Sequence, residues 1–494
     1  MEQTLKIILD NKLKVFNANK QVSDFLKQKL TIDNPEYKNA IKLNISTWWK
    51  NSKLYYYELK NFNNELYLEV PRGILAHLFV FLWQNNINYV FEDSRKNAST
   101  YEFESSIQLR PHQFEPVKQL VNMQQGILVS PAGSWKTVMM LDIINKKKTN
   151  AFVAVHTSEL LNQFKERAIQ FLNLKPEEIW IVSEGKVDLK DKLTIWLIQT
   201  ISMLSDKEIQ EMTSKFWIVF IDECHHVPAE SFLNFSKNVK SPFLFWATAT
   251  LERVDGLDKV LEFYIGPVLY EIPIETLHEA NLLMKPTIIP RFTEFSKPDL
   301  YQTWNKNKQR PNHWRLLTEV VNDYKRNQLI VQDLVQEASN GNYCIVLSRR
   351  KEHLYTLNDL MPEFDLNGKK INKTVLVSGS IKKKEKEEWK EKINNKEIQI
   401  IFAIDKLAWE WLDIPHLNCV MLATPVWNLK DAKQFTWRVC RIHPWKTEAK
   451  VYDYIDQDAG YMDGILWKQF KDRYWWYYKQ YCIVPNINFN KKTN

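Results

Sequence analysis

The stretch GILVSPAGSWKT, residues 126–137, decides the fold of this chain. It begins with apolar residues that suit a buried strand, continues through a short loop and ends in Lys136-Thr137 before an apolar segment. A strand, loop and helix in this order point backbone N–H groups and a helix N-terminus at an anion. In such a loop Lys136 reaches the outer phosphates of a nucleotide and the Thr137 hydroxyl ligates Mg²⁺. The stretch therefore predicts a phosphate-binding loop with ATP and Mg²⁺ as its ligands.

A second polar cluster follows another apolar run. The residues Ile218–Ile221 lead directly into Asp222 and Glu223. In open α/β sheets, ligands bind at the carboxyl ends of the strands, where this acidic pair would lie. Asp222 then holds Mg²⁺ and Glu223 orients the attacking water.

Short apolar runs alternate with helical segments over most of the chain. Such runs are typical of parallel strands buried on both faces, and the alternation predicts βαβ units. We therefore expect an α/β protein with two RecA-like parallel-sheet lobes in tandem behind a small N-terminal α+β domain. The runs are 125–130, 151–156, 194–198, 216–221 and 243–247 for the first sheet, and 343–347, 373–377, 398–402, 419–423 and 450–455 for the second.

The first hundred residues have a different pattern. Two β-type runs, Leu54–Leu59 and Glu65–Val70, flank a turn at 61–64 and predict a hairpin, followed by a helix after Pro71-Arg72-Gly73. A DNA-binding accessory domain and a structural cap explain this region equally well. The expected divisions are 1–103 for this domain, 104–270 for lobe 1, 271–325 for a connecting segment, 326–480 for lobe 2 and 481–494 for a tail.

Composition narrows the class of protein. The net charge of +8 suits a polyanionic partner but does not establish one. The five cysteines form no CxxC pair and are expected to be reduced thiols. Neither a signal peptide nor a membrane-spanning run is present, so we expect a cytoplasmic protein with no membrane partner.

Several motifs of the first lobe resemble superfamily 2 helicases. The loop at 131–137, the sequence Asp222-Glu223-Cys224-His225 and Thr248-Ala249-Thr250 resemble motifs I, II and III, while 109–113 resembles the upstream adenine-recognition element. The resemblance assigns nucleotide binding to Arg110, Gln113, Pro131, Ala132, Gly133, Ser134, Trp135, Lys136 and Thr137. It assigns coupling of hydrolysis to movement to His225, Thr248 and Thr250. Val155-His156-Thr157 with Gln163 resembles motif Ia, which implies nucleic-acid contacts for Thr157 and Gln163.

The second lobe carries the remaining motifs. Residues 345–349, 408–415 and 434–441 resemble motifs IV, V and VI. By resemblance, Arg349 contacts nucleic acid, and Glu410, Asp413 and Gln434 belong to the coupling set. Arg438 and Arg441 are assigned to the ATP phosphates, where an arginine stabilises charge on the transferring phosphoryl group.

The resemblance is most specific for the XPB/UvsW-like branch, which is related to type III restriction translocase subunits. It rests on DECHHVPAESF at 222–232, on 252–256 and on Pro71-Arg72-Gly73. It implies an ATP-dependent DNA helicase or translocase that unwinds or remodels DNA in repair or recombination. Two alternatives stay open, a duplex-DNA translocase subunit of a restriction-type system and a catalytically dead nucleic-acid-binding relative. The expected partner is single-stranded, forked or duplex DNA rather than RNA.

Tryptophan stands where these motifs require glycine. The positions are Trp135, Trp409, Trp411 and Trp437, and the whole chain has 19 tryptophans and 11 glycines. A chain of this length is expected to hold roughly 35 glycines. Phosphate loops use glycine because the backbone adopts positive φ or approaches the phosphate closely. An indole at 135 is therefore expected to collide with the phosphate loop, and one at 437, next to Arg438, is expected to obstruct the cleft.

Two explanations compete for this pattern. Chance decay of an inactive relative should also have eroded Lys136, Asp222, Glu223, Arg438 and Arg441, and all five are intact. Alternatively, the codon UGA encodes glycine in the source organism and is translated here as tryptophan. We favour this alternative genetic code because one cause explains both the glycine deficit and the tryptophan excess.

Overall fold

The computed structural model of the chain divides into two compact units, Met1–Pro273 and Ile274–Asn494. It describes residues 4–42, 46–62, 64–95, 100–131, 133–182, 192–201, 203–222, 229–249, 258–297, 313–362, 365–366, 369–370, 373–376, 383–404, 414–426, 429–457 and 464–481. Within these residues, no helix combines the length and apolar character that crossing a bilayer requires.

The strands and helices are numbered in chain order. The strands of the first unit are β1 Leu5–Leu9, β2 Lys12–Phe16, β3 Thr31–Asp33, β4 Lys53–Tyr55, β5 Glu58–Phe62, β6 Glu65–Pro71, β7 Tyr89–Asp93, β8 Gln125–Val129, β9 Ala151–Val155, β10 Ile179–Val182, β11 Leu193–Leu197, β12 Ile218–Asp222, β13 Phe243–Thr248 and β14 Val268–Glu271. Its helices are α1 Lys20–Lys29, α2 Pro35–Lys42, α3 Leu75–Gln84, α4 Pro111–Asn122, α5 Lys136–Lys147, α6 Ser158–Leu172, α7 Ile198–Ile201, α8 Asp206–Thr213, α9 Ala229–Asn238 and α10 Asp258–Ile265.

The second unit continues this numbering. Its strands are β15 Thr287–Phe292, β16 Cys344–Ser348, β17 Asp365–Leu366, β18 Lys369–Lys370, β19 Lys373–Leu376, β20 Ile400–Ile404, β21 Cys419–Leu422 and β22 Lys450–Ile455. Its helices are α11 Ile274–Glu279, α12 His313–Asn322, α13 Tyr324–Ser339, α14 Lys351–Leu360, α15 Lys383–Asn394, α16 Leu429–Val439 and α17 Ile465–Tyr481.

The N-terminal region forms a five-stranded mixed sheet in the order β5-β6-β2-β1-β7, covered by α1 and α3. The predicted hairpin is present as β5 and β6, and the helix after Pro71-Arg72-Gly73 is confirmed as α3. The predicted bounds of the first arm are wrong, because β4 instead pairs with β3. The chain leaves the sheet at Tyr56 and Tyr57, whose rings pack against the apolar core of this region.

The N-terminal sheet is docked on the rest of the first unit through Arg72, which is 1% exposed. Its guanidinium group donates hydrogen bonds to Gln125 Oε1 at 2.7 Å, to the Ser241 carbonyl at 2.7 Å and to the Pro242 carbonyl at 2.8 Å. At Gly73 a Cβ atom would lie 2.4 Å from the Glu262 carbonyl oxygen, so only glycine permits this approach. The region therefore shares one packed interior with the following sheet.

The remainder of the first unit is a seven-stranded parallel sheet in the order β10-β11-β9-β12-β13-β8-β14. All residues of β8, β9 and β12 are buried, as expected for strands covered by helices on both faces. The five predicted strands of this sheet are confirmed, with their bounds shifted by at most two residues. Strands β10 and β14 at its edges were not predicted.

The second unit holds a six-stranded parallel sheet in the order β15-β22-β21-β16-β20-β19. All five predicted strands are present, and the two sheets confirm the predicted fold class of two RecA-like lobes. The aromatic helix α17 packs on this sheet, with Trp476 and Tyr477 in the same apolar cluster as β16, β20 and β21. Both rings are buried and belong to the core of the second unit.

The substitution Arg72→Met tests the docking of the N-terminal sheet. We expect it to lower the free energy of unfolding by roughly 3–5 kcal/mol, because three buried acceptors lose their donor. Chemical denaturation followed by tryptophan fluorescence measures the change. Lys207→Met on α8 is the control, since the Lys207 side chain is 86% exposed and its ion pair with Glu211 is a surface contact. Equal stability of the two variants would contradict this assignment.

Candidate active site

The phosphate-loop sequence folds as a loop between β8 and α5, held by its own serines. The Ser134 hydroxyl donates to the Pro131 carbonyl at 2.7 Å and also contacts the Ser130 hydroxyl. The Ser130 N–H donates to the Thr248 carbonyl oxygen at 2.8 Å, so the first threonine of motif III lies beside motif I. Gly133 has φ 90°, a conformation that favours glycine. The side chains of Ser130 and Ser134 therefore link the two ends of the loop to each other and to the Pro131 carbonyl.

Trp135 has the backbone conformation of a glycine. Its φ of 65° and ψ of 46° lie in the left-handed region, immediately before the first residue of α5. Among the described residues other than glycine that have positive φ, five are asparagines, two are lysines and Trp135 is the single aromatic residue. A side chain in this region costs roughly 1–2 kcal/mol, which glycine avoids. The loop geometry therefore favours glycine at position 135.

The start of α4 is tied to the phosphate loop. The Gln113 amide donates to the Ser134 carbonyl at 3.0 Å and accepts from the Arg110 backbone N–H at 2.9 Å. His112 Nε2 lies 3.3 Å from the same Ser134 oxygen. Gln113 is 1% exposed. The residue that the sequence assigned to base recognition thus contacts the phosphate loop directly.

The indole of Trp135 lies against two arginines. The Arg110 Cζ atom is 4.4 Å from the ring centroid, and the Arg167 Cζ atom is 5.6 Å from it. Both distances allow a cation–π contact. The side chain is 39% exposed and packs beside the loop. Its ring contacts the guanidinium groups of both arginines.

Asp222 ends β12 and is 3% exposed. Burial raises the pKa of its carboxyl group above the ordinary value, while the positive charges of Lys136 and Arg167 oppose the shift. Lys136 is the first residue of α5. Its positive charge acts on the Asp222 carboxylate, the acidic group that we expected near it. Arg167, on α6, was missed because no motif marks it. Only the folded chain reveals Arg167. Burial lowers the pKa of its guanidinium group, and the negative charge of Asp222 opposes this shift.

The donor set fits a nucleotide with Mg²⁺. Hydroxyl and carboxylate oxygens, here Thr137 and Asp222, are ligands that Mg²⁺ prefers, and Lys136 and Arg167 match phosphate charge. In the part of the chain that the structure describes, no cluster of three His, Cys, Asp or Glu forms a separate metal site. Several predicted residues lie outside the described residues: Ala132, Glu223, His225, Thr250, Trp409, Glu410, Trp411 and Asp413.

Motif Ia runs from the end of β9 into α6. The Thr157 hydroxyl caps the helix by accepting from the Leu160 N–H at 3.2 Å. Gln163 lies on the second turn and is partly exposed. The N-cap gives Thr157 a structural role whether or not it contacts nucleic acid.

The residues assigned to motif VI lie on α16 and just after it. Gln434 and Arg438 are four residues apart, which places them on one face of the helix, and both are partly exposed. Arg441 follows the helix and forms an isolated β-bridge with Leu283. Arg349 lies at the carboxyl end of β16, and its Nη2 atom is 3.0 Å from the Asp431 carboxylate on α16.

The other tryptophans near motifs differ in environment. Trp437 is 4% exposed, so its ring is buried within the second unit and does not point into solvent beside Arg438. Trp246, before motif III, is fully buried in β13. Trp445, after motif VI, is 77% exposed, and Lys396 Nζ lies 4.8 Å from its ring centroid.

The substitution Asp222→Asn tests the electrostatics of the site. Because the folded pKa lies above the unfolded one, ionisation of Asp222 weakens folding as pH rises above about 4. We expect the variant to be more stable at pH 7.5 by roughly 0.5–2 kcal/mol, the usual gain of a single stabilising substitution. The measurement is thermal unfolding at pH 7.5 and pH 4, where the gain should shrink. Asp24→Asn on the exposed face of α1 is the control, and an equal gain there would contradict the expectation.

Comparison with known proteins agrees with this arrangement. Residues 106–253 match the family "Type III restriction enzyme, res subunit", and residues 325–443 match "Helicase conserved C-terminal domain". A protein of Acanthamoeba polyphaga mimivirus, named as an ATP-dependent RNA helicase, is 26% identical over 75% of this chain and 68% of its own length. The DNA 3'-5' translocase XPB2 of Sulfurisphaera tokodaii is 33% identical over 35% of this chain and 37% of its own length.

A further relative is the XPB/SSL2 helicase/translocase subunit of the general transcription and DNA repair factor IIH of Saccharomyces cerevisiae. It is 25% identical over 67% of this chain but only 39% of its own length. The crystal structure of T4 UvsW covers 97% of this chain at 17% identity with a TM-score of 0.40. With both lobes matched in tandem, the chain belongs to the superfamily 2 helicases and is related to the XPB proteins and to type III restriction subunits.

Proposed function

We propose that this protein is an ATP-dependent DNA helicase or translocase that unwinds or remodels DNA in repair or recombination. The observation that carries the proposal is the contact between motifs in the first parallel sheet. Lys136 at the start of α5 lies in the electrostatic field of Asp222 at the end of β12, and Ser130 is hydrogen-bonded to Thr248. A phosphate-binding cation and a metal-binding carboxylate at one sheet edge serve phosphoryl transfer.

In the proposed reaction, the first unit binds ATP through the residues of motif I. Lys136 and Thr137 hold the phosphates, and Gln113 supports the loop through Ser134. Mg²⁺, held by Thr137 and Asp222, neutralises phosphate charge when bound. Glu223 orients the attacking water, and Arg438 and Arg441 stabilise charge on the transferred phosphoryl group.

The remaining assignments complete the proposal. Residues 1–103 are an accessory domain that either contacts DNA or caps the first lobe, and 104–270 and 326–480 act as the two motor lobes joined by 271–325. Thr157, Gln163 and Arg349 contact the nucleic-acid backbone, which makes binding depend on salt and little on sequence. The coupling residues His225, Thr248, Thr250, Glu410, Asp413 and Gln434 link hydrolysis to movement.

We further propose that the natural protein carries glycine at 135, 409, 411 and 437. The positive φ at Trp135 supports this, because the loop requires a conformation that tryptophan adopts only at a cost. UGA codons at these positions in the gene, in an organism that reads UGA as glycine, are the expected finding. UGG codons would refute the proposal.

The glycine-restored chain, with Trp135→Gly, Trp409→Gly, Trp411→Gly and Trp437→Gly, tests the activity. We expect DNA-stimulated ATP hydrolysis in this chain and at least about tenfold less in the chain as written. The reason is that the Trp135 ring contacts the guanidinium groups of Arg110 and Arg167. The positive φ of Trp135 also strains the loop. Steady-state ATPase assays with single-stranded, forked and duplex DNA and with RNA measure the difference. Lys136→Ala in the glycine-restored chain is the inactive control.

The same assays separate the alternatives. Strand separation on forked DNA indicates a helicase, whereas duplex-stimulated hydrolysis with triplex displacement and no strand separation indicates a duplex translocase. Stimulation by RNA alone would overturn the DNA assignment. Equal turnover in both chains would refute the role of the tryptophans, and a lack of hydrolysis in both would favour the inactive relative.

A further inference from the structure

Three arginines from different parts of the second unit meet on the segment that leads into α16. Arg326, on α13, donates from Nη1 to the Ala423 carbonyl at 2.6 Å. Arg473, on α17, donates from Nη1 to the Val426 carbonyl at 2.8 Å. The third arginine is Arg349, whose backbone contacts Thr424 in the same segment. They hold the short connection between β21 and the helix that carries Gln434 and Arg438.

Two of the three are fixed by buried carboxylates. Arg326 pairs with Asp456 at 2.9 Å, and both side chains are 0% exposed. Arg473 pairs with Asp453 at 2.7 Å, and these side chains are 3% and 2% exposed. Breaking such a pair leaves an uncompensated buried charge, so these two arginines keep their partners.

Arg349 differs because its partner is reachable from solvent. Its backbone N–H donates to the Thr424 hydroxyl at 3.1 Å, which fixes the main chain against the same connection. Its guanidinium group lies 3.0 Å from the Asp431 carboxylate, and the two side chains are 24% and 20% exposed. A partly exposed ion pair of this kind is weak, and a phosphate oxygen binds guanidinium as well as a carboxylate does.

Asp431 lies on the same face of α16 as the motif VI residues. Positions 431, 434 and 438 are spaced i, i+3 and i+7, which aligns Asp431, Gln434 and Arg438 along one side of the helix. Asp431 is in the first turn, where its negative charge also stabilises the N-terminus of α16. A change in the partner of Asp431 therefore acts on the helix face that also carries Gln434 and Arg438.

We propose that Arg349 is a positioning residue that exchanges its partner Asp431 for a nucleic-acid phosphate. Without nucleic acid, the Arg349–Asp431 pair holds the first turn of α16. When a phosphate binds the guanidinium group, the Arg349–Asp431 pair breaks and the helix face bearing Gln434 and Arg438 readjusts. The residue thus links nucleic-acid occupancy to motif VI, and this inference rests on the proposed nucleic-acid-dependent ATPase.

Variants of the glycine-restored chain test the exchange. Asp431→Asn removes the carboxylate that competes for the guanidinium group, and we expect about fivefold tighter binding of a fluorescent single-stranded oligodeoxynucleotide by anisotropy at about 0.1 M salt. Arg349→Gln should weaken binding by a similar factor, and Arg349→Lys should retain most of it. Both Asp431→Asn and Arg349→Gln should raise ATP turnover measured without DNA severalfold, because each removes the hold on α16.

Opposite shifts in DNA affinity combined with a shared rise in DNA-free turnover identify the exchange. A purely structural role would weaken both properties in both variants, and a simple DNA contact would leave Asp431→Asn unchanged. Either of these results overturns the proposal. Asp472→Asn, on the exposed side of α17, is the matched control and should change neither property.

The charge swap Arg349→Asp with Asp431→Arg provides a second measurement. It restores an ion pair but removes the cation from the proposed phosphate contact. We expect DNA-free turnover to return to the parent level while DNA affinity stays low, and recovery of DNA affinity would overturn the proposal. Absence of ATPase in the parent chain would refute the proposed function, whereas opposite affinity shifts would still support the exchange.

Discussion

The burial of parallel strands on both faces is the constraint on which this structure depends. Every residue of β8, β9, β12 and β16 is buried, so these strands hold almost no polar side chain along their length. The polar residues Asp222 and Thr248 are the last residues of their strands, and parallel strands bring these ends to one edge of the sheet. Asp222, Thr248 and the phosphate loop are neighbours for this reason, although they are far apart in sequence.

Much of the fold follows from this constraint and could be predicted from the sequence. The predicted runs 243–247 and 419–423 are long enough and apolar enough to be recognised from the sequence alone. The N-terminal sheet was less predictable, because its short strands depend on tertiary partners. Tyr56 and Tyr57 interrupt a run that looks continuous, since their rings pack into the core instead of extending the strand.

Only some residues of the candidate site could likewise be located from the sequence. The loop at 131–137 and the acid at 222 could be located because their spacing and residue types are specific. Arg167 and Asp431 could not, because a charged residue on an amphipathic helix carries no signal until its neighbours in space are known. Their importance comes from contacts with Trp135, Asp222 and Arg349 that only the folded chain creates.

The close approach at Gly73 has a consequence for the history of this chain. Val260 and Phe263, on α10, belong to the same apolar cluster as the N-terminal sheet, and Arg72 supplies donors to carbonyls of the following sheet. Separated from each other, the two parts would expose apolar residues and leave carbonyl groups without the donors that Arg72 supplies. The N-terminal region is therefore not a module that recombination can exchange or delete, and its sequence must diverge in step with the lobe that it covers.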